Sequence, residues 1–165
     1  MSSVPATPAA FERTSRIDAP TEQVWARVVS PEGINHELMP IMRMTVPAAA
    51  RGRGIDDFSP GDHIGRSWLL LGGVLPFDFD DIGLAELEPG RRFLERSTML
   101  SMRTWTHERV VTPVAEGGCE VADRISFRLR RPAAWLPFSH QVVARLLRWV
   151  FAHRHRRLSA HFAGR

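Results

Sequence analysis

The run from Ser139 to Phe162 contains no glycine and no proline, and it constrains the fold more than any other stretch of the chain. Ser139 can cap a helix start, and Gly164 can end one. Val143, Leu146, Leu147, Val150, Leu158 and Phe162 recur at helical spacing. Arg145, Arg148, Arg154, Arg156 and Arg157 fill much of the remainder. At 1.5 Å per residue the helix is roughly 36 Å long. In a chain of 165 residues, an apolar face of that length must lie across most of the domain. The upstream chain is expected to supply the surface it lies on.

That upstream chain reads mainly as strands. Phe11 to Ile17 alternates and predicts a strand. Pro20, at a position a first helical turn tolerates, opens a short helix through Val24, Trp25, Val28 and Val29. Pro31 stops that helix and starts a second, which runs through Ile34 and Leu38 to Pro40. Strands are expected over 41–46, 63–71, 77–87, 92–98, 102–114 and 121–129, with a loop or strand edge over 48–60 carrying Gly52, Gly54 and Pro60. Residues 130–137 link to the long helix. Tight turns between successive strands imply an antiparallel sheet, and a twisted sheet this wide curls. The C-terminal helix is the one element long enough to cover its inner face. Space left between sheet and helix becomes a cavity.

Composition narrows the class. No apolar run approaches the roughly 20 residues of a membrane span. Residues 1–10 are small and Pro-containing, without the pattern of a secretory signal, and read as a disordered lead before one domain over 11–165. A single cysteine, Cys119, excludes an internal disulfide and suits a cytoplasmic setting. The net charge is +4, and every basic residue other than histidine is arginine. The arginines of the long helix read as a solvated face. They lack the exposed aromatics or groove-fitting element of a nucleic-acid site, and they leave open weak contact with an anionic membrane.

Several motifs resemble the START/SRPBCC superfamily. Ile17-Asp18-Ala19-Pro20-Thr21-Glu22-Gln23-Val24-Trp25 is similar to its strand-to-helix opening. Glu88-Pro89-Gly90-Arg91-Arg92-Phe93 is similar to its usual hairpin. Thr104-Trp105-Thr106-His107-Glu108, followed by Asp123-Arg124-Ile125-Ser126-Phe127, resembles a bacterial ligand-binding branch, and Phe151-Ala152-His153-Arg154-His155 resembles the end of its long helix. The resemblance runs from about Phe11 to Phe162. It implies an α+β helix-grip fold: a curved antiparallel sheet of six or seven strands, two short helices, and a long C-terminal helix over a cavity. It also implies carriers, sensors or polyketide cyclase-like enzymes.

The residues themselves suggest where chemistry would sit. Trp105, His107, Arg109 and Val111 share one face of a strand by period two, and Val121, Asp123, Ile125 and Phe127 share one face of its partner. Asp123 is the odd member of an apolar row. A carboxylate there is costly unless paired, and His107 or Arg109 is the expected partner. The pair can orient a ligand or act as acid and base, with Arg109 as an oxyanion partner. It can equally do no more than fix strand register. A one-residue slip of the hairpin would put His107 and Asp123 on opposite sides of the sheet.

Aromatic density supplies the expected pocket wall: Trp68, Phe77, Phe79, Trp105 and Phe127 from the sheet, with Val143, Leu146, Leu147 and Val150 from the helix. Core packing is the competing reading of each. No Cys/His ligand spacing or HExxH occurs, so no metal is expected, and no cofactor. His153 and His155, two apart on a helix, point different ways. The absence of tyrosine weighs against cyclase chemistry. The expected function is binding of a small hydrophobic ligand, lipid-like or aromatic. The alternatives are a cyclase- or dehydratase-like enzyme using His107 and Asp123, or an interaction module acting through the basic helix. A homodimer is a further possibility.

Overall fold

Seven antiparallel strands form one curled sheet in the order β1-β7-β6-β5-β4-β3-β2. The computed structural model describes residues 9–164; the expectation for residues 1–8 lies outside them. In chain order the elements are β1 (Ala9–Ile17), α1 (Thr21–Val28), α2 (Pro31–Leu38), β2 (Met42–Met44), β3 (His63–Leu71), β4 (Leu75–Glu88), β5 (Arg92–Met99), β6 (Met102–Pro113), β7 (Cys119–Leu129) and α3 (Ser139–Ala163). Short 3₁₀ turns at 48–50, 55–57 and 133–135 punctuate the loops. This is an α+β helix-grip fold with α3 as its grip.

Sequence explains most boundaries. Pro20 sits one residue before α1, and its carbonyl accepts from the amides of Gln23 and Val24. Ser30 caps α2, its Oγ accepting from the Gly33 amide at 3.0 Å. The Asn35 side chain ties α2 to β2 by a reciprocal pair with the Met44 backbone. Gly118, at φ 79°, closes the β6–β7 hairpin where a Cβ would meet the Ile17 carbonyl oxygen at 2.5 Å. Register irregularities in β3–β4 and β4–β5 bend the sheet. At the second, Gly83 approaches the Arg96 carbonyl too closely for any side chain.

One cap differs from expectation. Ser139 does not cap α3. Phe138, at φ 64°, holds that position, and the Ser139 Oγ is buried with no hydrogen-bond partner among the described residues. β1 also begins at Ala9, two residues before the expected strand.

The core divides in two along α3. Toward its C-terminal end, Leu158 and Phe162 pack with Ile17, Val24, Trp25, Val28, Val111 and Val121. Toward its N-terminal end, Ala144 and Phe151 pack with Met99, Met102, Trp105, Ile125, Phe127 and Leu129. Arg154 and His155 lie between these clusters on the same buried stripe. Two polar residues at the centre of a helix's core face require polar partners opposite them.

Candidate functional site

A polar belt crosses the concave face of the sheet and, with Glu37 of α2, supplies those partners. Hairpin register pairs Arg109 with Asp123 and His107 with Ile125, so both β6 side chains share the face of Asp123. On the other flank, Glu95 of β5 pairs with His107 and Asp80 of β4 with Ser67 of β3. The structure therefore resolves the choice between His107 and Arg109 as partner of Asp123: both bond to it.

Arg109 is fully buried and central. Its Nε donates to Asp123 Oδ1 and its Nη2 to Oδ2, both at 2.7 Å. Its Nη1 donates to Glu37 Oε1 at 2.9 Å and Nη2 to Oε2 at 3.0 Å. One guanidinium thus forks onto two carboxylates, using the planar geometry that lysine lacks. The His107 Nε2 donates to Asp123 Oδ1 at 2.7 Å, and the His155 Nε2 donates to Oδ2 at 2.8 Å. The His155 Nδ1 lies 2.9 Å from Ser15 Oγ. Arg154 donates to Glu37 Oε2 from Nε at 3.0 Å. Burial pushes the Asp123 carboxyl up, but Arg109 and then His107 outweigh it and hold the group well below the usual carboxylate range.

The far end of the belt behaves differently. His107 Nδ1 lies 3.8 Å from Glu95 Oε2, and Ser97 donates to Glu95 Oε1 at 2.6 Å. Burial pushes Glu95 up; His107, Asp80 and Ser97 outweigh it and bring its carboxyl below the ordinary value. Among the described residues no cation pairs with Asp80. Burial first, and then the neighbouring Glu95 charge, push it up to about 10, so it is a neutral acid at physiological pH. Its Oδ1 is buried with no hydrogen-bond partner among the described residues.

A cavity of about 180 Å³ opens beside this belt. Its floor carries Glu95 and His107, with Arg154 reaching in from α3 and Ser67 from β3. The rest is mainly apolar: Ile34 of α2, Val46 and Phe58 of the segment between β2 and β3, Ile82 and Phe93 of the sheet. The cavity thus lies under α2 and the 44–58 segment, and α3 contributes Arg154 alone.

Of the site residues expected from sequence, His107, Arg109 and Asp123 come together, and His107 lines the cavity. Trp68, Phe77 and Phe79 do not line it. They alternate with the buried Ser67, Asp78 and Asp80, which puts them on the outer face, where Trp68 and Phe79 meet edge to face at 5.7 Å. Trp105 and Phe127 belong to the core beside Phe151, with Val143 and Leu147 packed against them. Val150 is buried, and Leu146 points outward, 56% exposed. Arg154, expected on the solvent face, is buried because position 154 falls on the stripe of Phe151, His155 and Leu158. Glu37, Glu95, Asp80 and His155 are the partners that sequence reasoning missed. His155 was findable by that spacing, and Glu95 by sharing the period of Phe93.

Comparisons with known proteins agree with this architecture. The Zhui aromatase/cyclase from Streptomyces sp. R1128 superimposes with a TM-score of 0.71 at 11% identity, over 95% of this chain and 94% of that one. A START superfamily protein from Mycobacterium smegmatis gives 0.66 at 11% identity, over 94% and 97%. A structural genomics target from Rhodobacter sphaeroides gives 0.64 at 20% identity, over 98% and 96%. At these identities the likeness shows the fold, which is that of the START/SRPBCC superfamily. No curated protein matches the chain by sequence. A family model does match, across residues 15–162, and the chain belongs to that family, described as Domain of unknown function (DUF8410).

Proposed function

We propose that this chain binds a small, mainly apolar molecule bearing one polar group, held in the cavity with that group against Glu95, His107 and Arg154. The observation that carries this reading is the cavity's lining, mainly apolar side chains with the charged and polar groups of Glu95, His107 and Arg154 among them. Its volume suits a ligand on the scale of a single ring, since a dry engineered cavity of about 150 Å³ accepts benzene. Asn35 is occupied by Met44, and Arg109 and Asp123 do not line the cavity, so recognition falls to Glu95, His107 and Arg154.

Native mass spectrometry of the protein purified from its own host tests the reading. A retained small molecule is expected, and Ile34→Trp, which fills the cavity, should abolish its retention. His107→Ala should weaken retention by about tenfold, the cost of losing one hydrogen bond to a charged or polar group. If His107→Ala lowers only the melting temperature while retention persists, the polar floor does not bind ligand.

One observation favours a second reading, acid–base catalysis in the same cavity. The Nε2 of His107 is committed to Asp123, so the ring is oriented by a buried carboxylate while Nδ1 faces Glu95. An imidazole oriented in this way can move a proton to or from a bound molecule. Turnover of a candidate substrate lost in His107→Gln, with binding retained, would favour catalysis over carriage.

A further inference from the structure

Exposed apolar side chains are not scattered over this molecule. The antiparallel topology brings the β3–β4 turn, the β5–β6 turn, the exit of β7 and the start of α3 to one end of the sheet. Every large apolar side chain that stands exposed among the described residues lies on those turns, on the strand residues leading into them, or on the first half of α3. Leu71, Val74 and Leu75 make the β3–β4 tip, where Val74 is 82% exposed. Leu100 stands on the β5–β6 turn, and Trp135, Leu136 and Phe138 on the link into α3. On α3 itself, Val142, Leu146 and Trp149 recur at i, i+4 and i+7 and so share one face, opposite the buried Ala144 and Phe151. Scattered single residues would need no explanation; a set gathered at one end does.

The charge at this end is of one sign. From Arg124 to the last described residue the chain holds no Asp or Glu. Arg103, Arg130, Arg131, Arg145 and Arg148 are exposed here, and none of them pairs with an acidic side chain among the described residues. Within 68–80, 96–103 and 128–149 the only acids are Asp78 and Asp80. Both are buried, and Asp78 is spent on the Leu100 amide and the Ser101 side chain. The side chains sit on turns and an outer helix face rather than in a groove. Tryptophan and leucine interleaved with arginine match a headgroup layer, where indoles settle at the interface and guanidiniums meet phosphate.

We propose that this end of the molecule docks onto an anionic lipid bilayer, inserting the β3–β4 tip, the 135–138 link and the outer face of α3 among the headgroups. The proposal does not rest on the cavity. No helix of the described residues is long and apolar enough to cross a membrane, so the contact is with the surface.

Co-sedimentation with vesicles tests it, using phosphatidylcholine alone and an equal mixture of phosphatidylcholine and phosphatidylglycerol. The parent protein should sediment with the mixed vesicles, less so as salt is added, and its tryptophan emission should shift to the blue. Leu146→Ser and Trp149→Ser should each weaken binding by about tenfold, and Arg145→Ser and Arg148→Ser by about fivefold each. These positions are exposed, so the melting temperature should stay unchanged, which separates lost docking from lost folding. Sedimentation with neither vesicle, or equal sedimentation with both, overturns the proposal. So does a concentration-dependent dimer that Leu146→Ser dissolves without any vesicle binding by the parent, which would make the patch a contact between copies.

Discussion

Replacing Arg109 with methionine should lower the stability of this protein by about 3–5 kcal/mol, the usual cost of removing one partner from a buried ion pair. Arg109 is completely buried and makes both ends of a Glu37–Arg109–Asp123 bridge. Methionine fills similar space but leaves two carboxylates facing each other across an apolar gap. Against a total stability of roughly 5–15 kcal/mol this is a large fraction, and a melting temperature drop on the order of 10 °C follows for a chain of this size. Arg109→Lys should fall between, keeping the charge while losing the fork.

The pH dependence separates charge from packing in that result. In the parent, Asp123 is held well below its ordinary value, so its contribution to stability is complete above the ordinary carboxylate range and is lost only as pH falls through the depressed value. In Arg109→Met the largest remaining influence on Asp123 is burial, which pushes the carboxyl up. The carboxyl then titrates above its value in the parent, so the variant's deficit relative to the parent should shrink as pH is lowered from 7 into the ordinary carboxylate range. Thermal melts across that range are the measurement. A deficit that stays constant with pH would show that packing around Arg109, and not its charge, stabilises the core.

Much of this arrangement was legible in the sequence, for a physical reason. Period-two alternation in 102–113 and 119–129 marks which strand residues face inward, and Asp123 stands out because charge on such a face needs a partner. Helical spacing likewise marks α3. What the sequence hid is non-local. Glu37 lies 72 residues from Arg109 and its helix is short, so nothing in its neighbourhood marks it as buried. Arg154 looked like one more solvent arginine because the helix carries many, and only its phase with Phe151 and Leu158 distinguishes it. The pocket wall misled for a different reason. Aromatic residues such as Trp68 and Phe79 favour strands on either face, and only the pairing of Ser67 with Asp80 shows that theirs is the outer one. The cavity sits under the 44–58 segment, most of which, from 48 onward, has no periodicity to read.

Asp80→Asn should stabilise the protein, an unusual outcome for a buried polar substitution. Asp80 is 3% exposed and adjoins Glu95, whose charge, together with burial, raises its carboxyl from 3.8 to about 10. The folded protein therefore binds a proton that the unfolded chain releases between those values. Across that window stability falls as pH rises, because the native state holds more protons than the unfolded one. By pH 7 the accumulated cost is about 4 kcal/mol. Asparagine donates a hydrogen bond to Glu95 as the protonated acid does, keeps the shape, and has no ionisation to suppress. The variant should melt higher than the parent at pH 7, by an amount that grows toward pH 9 and vanishes near pH 4, where both side chains are neutral. The Asp78 and Glu95 charges persist in both proteins, so their effects cancel in the difference. Parallel melting curves from pH 4 to 9 would mean that Asp80 ionises normally, and that the acid end of the belt is wet rather than closed.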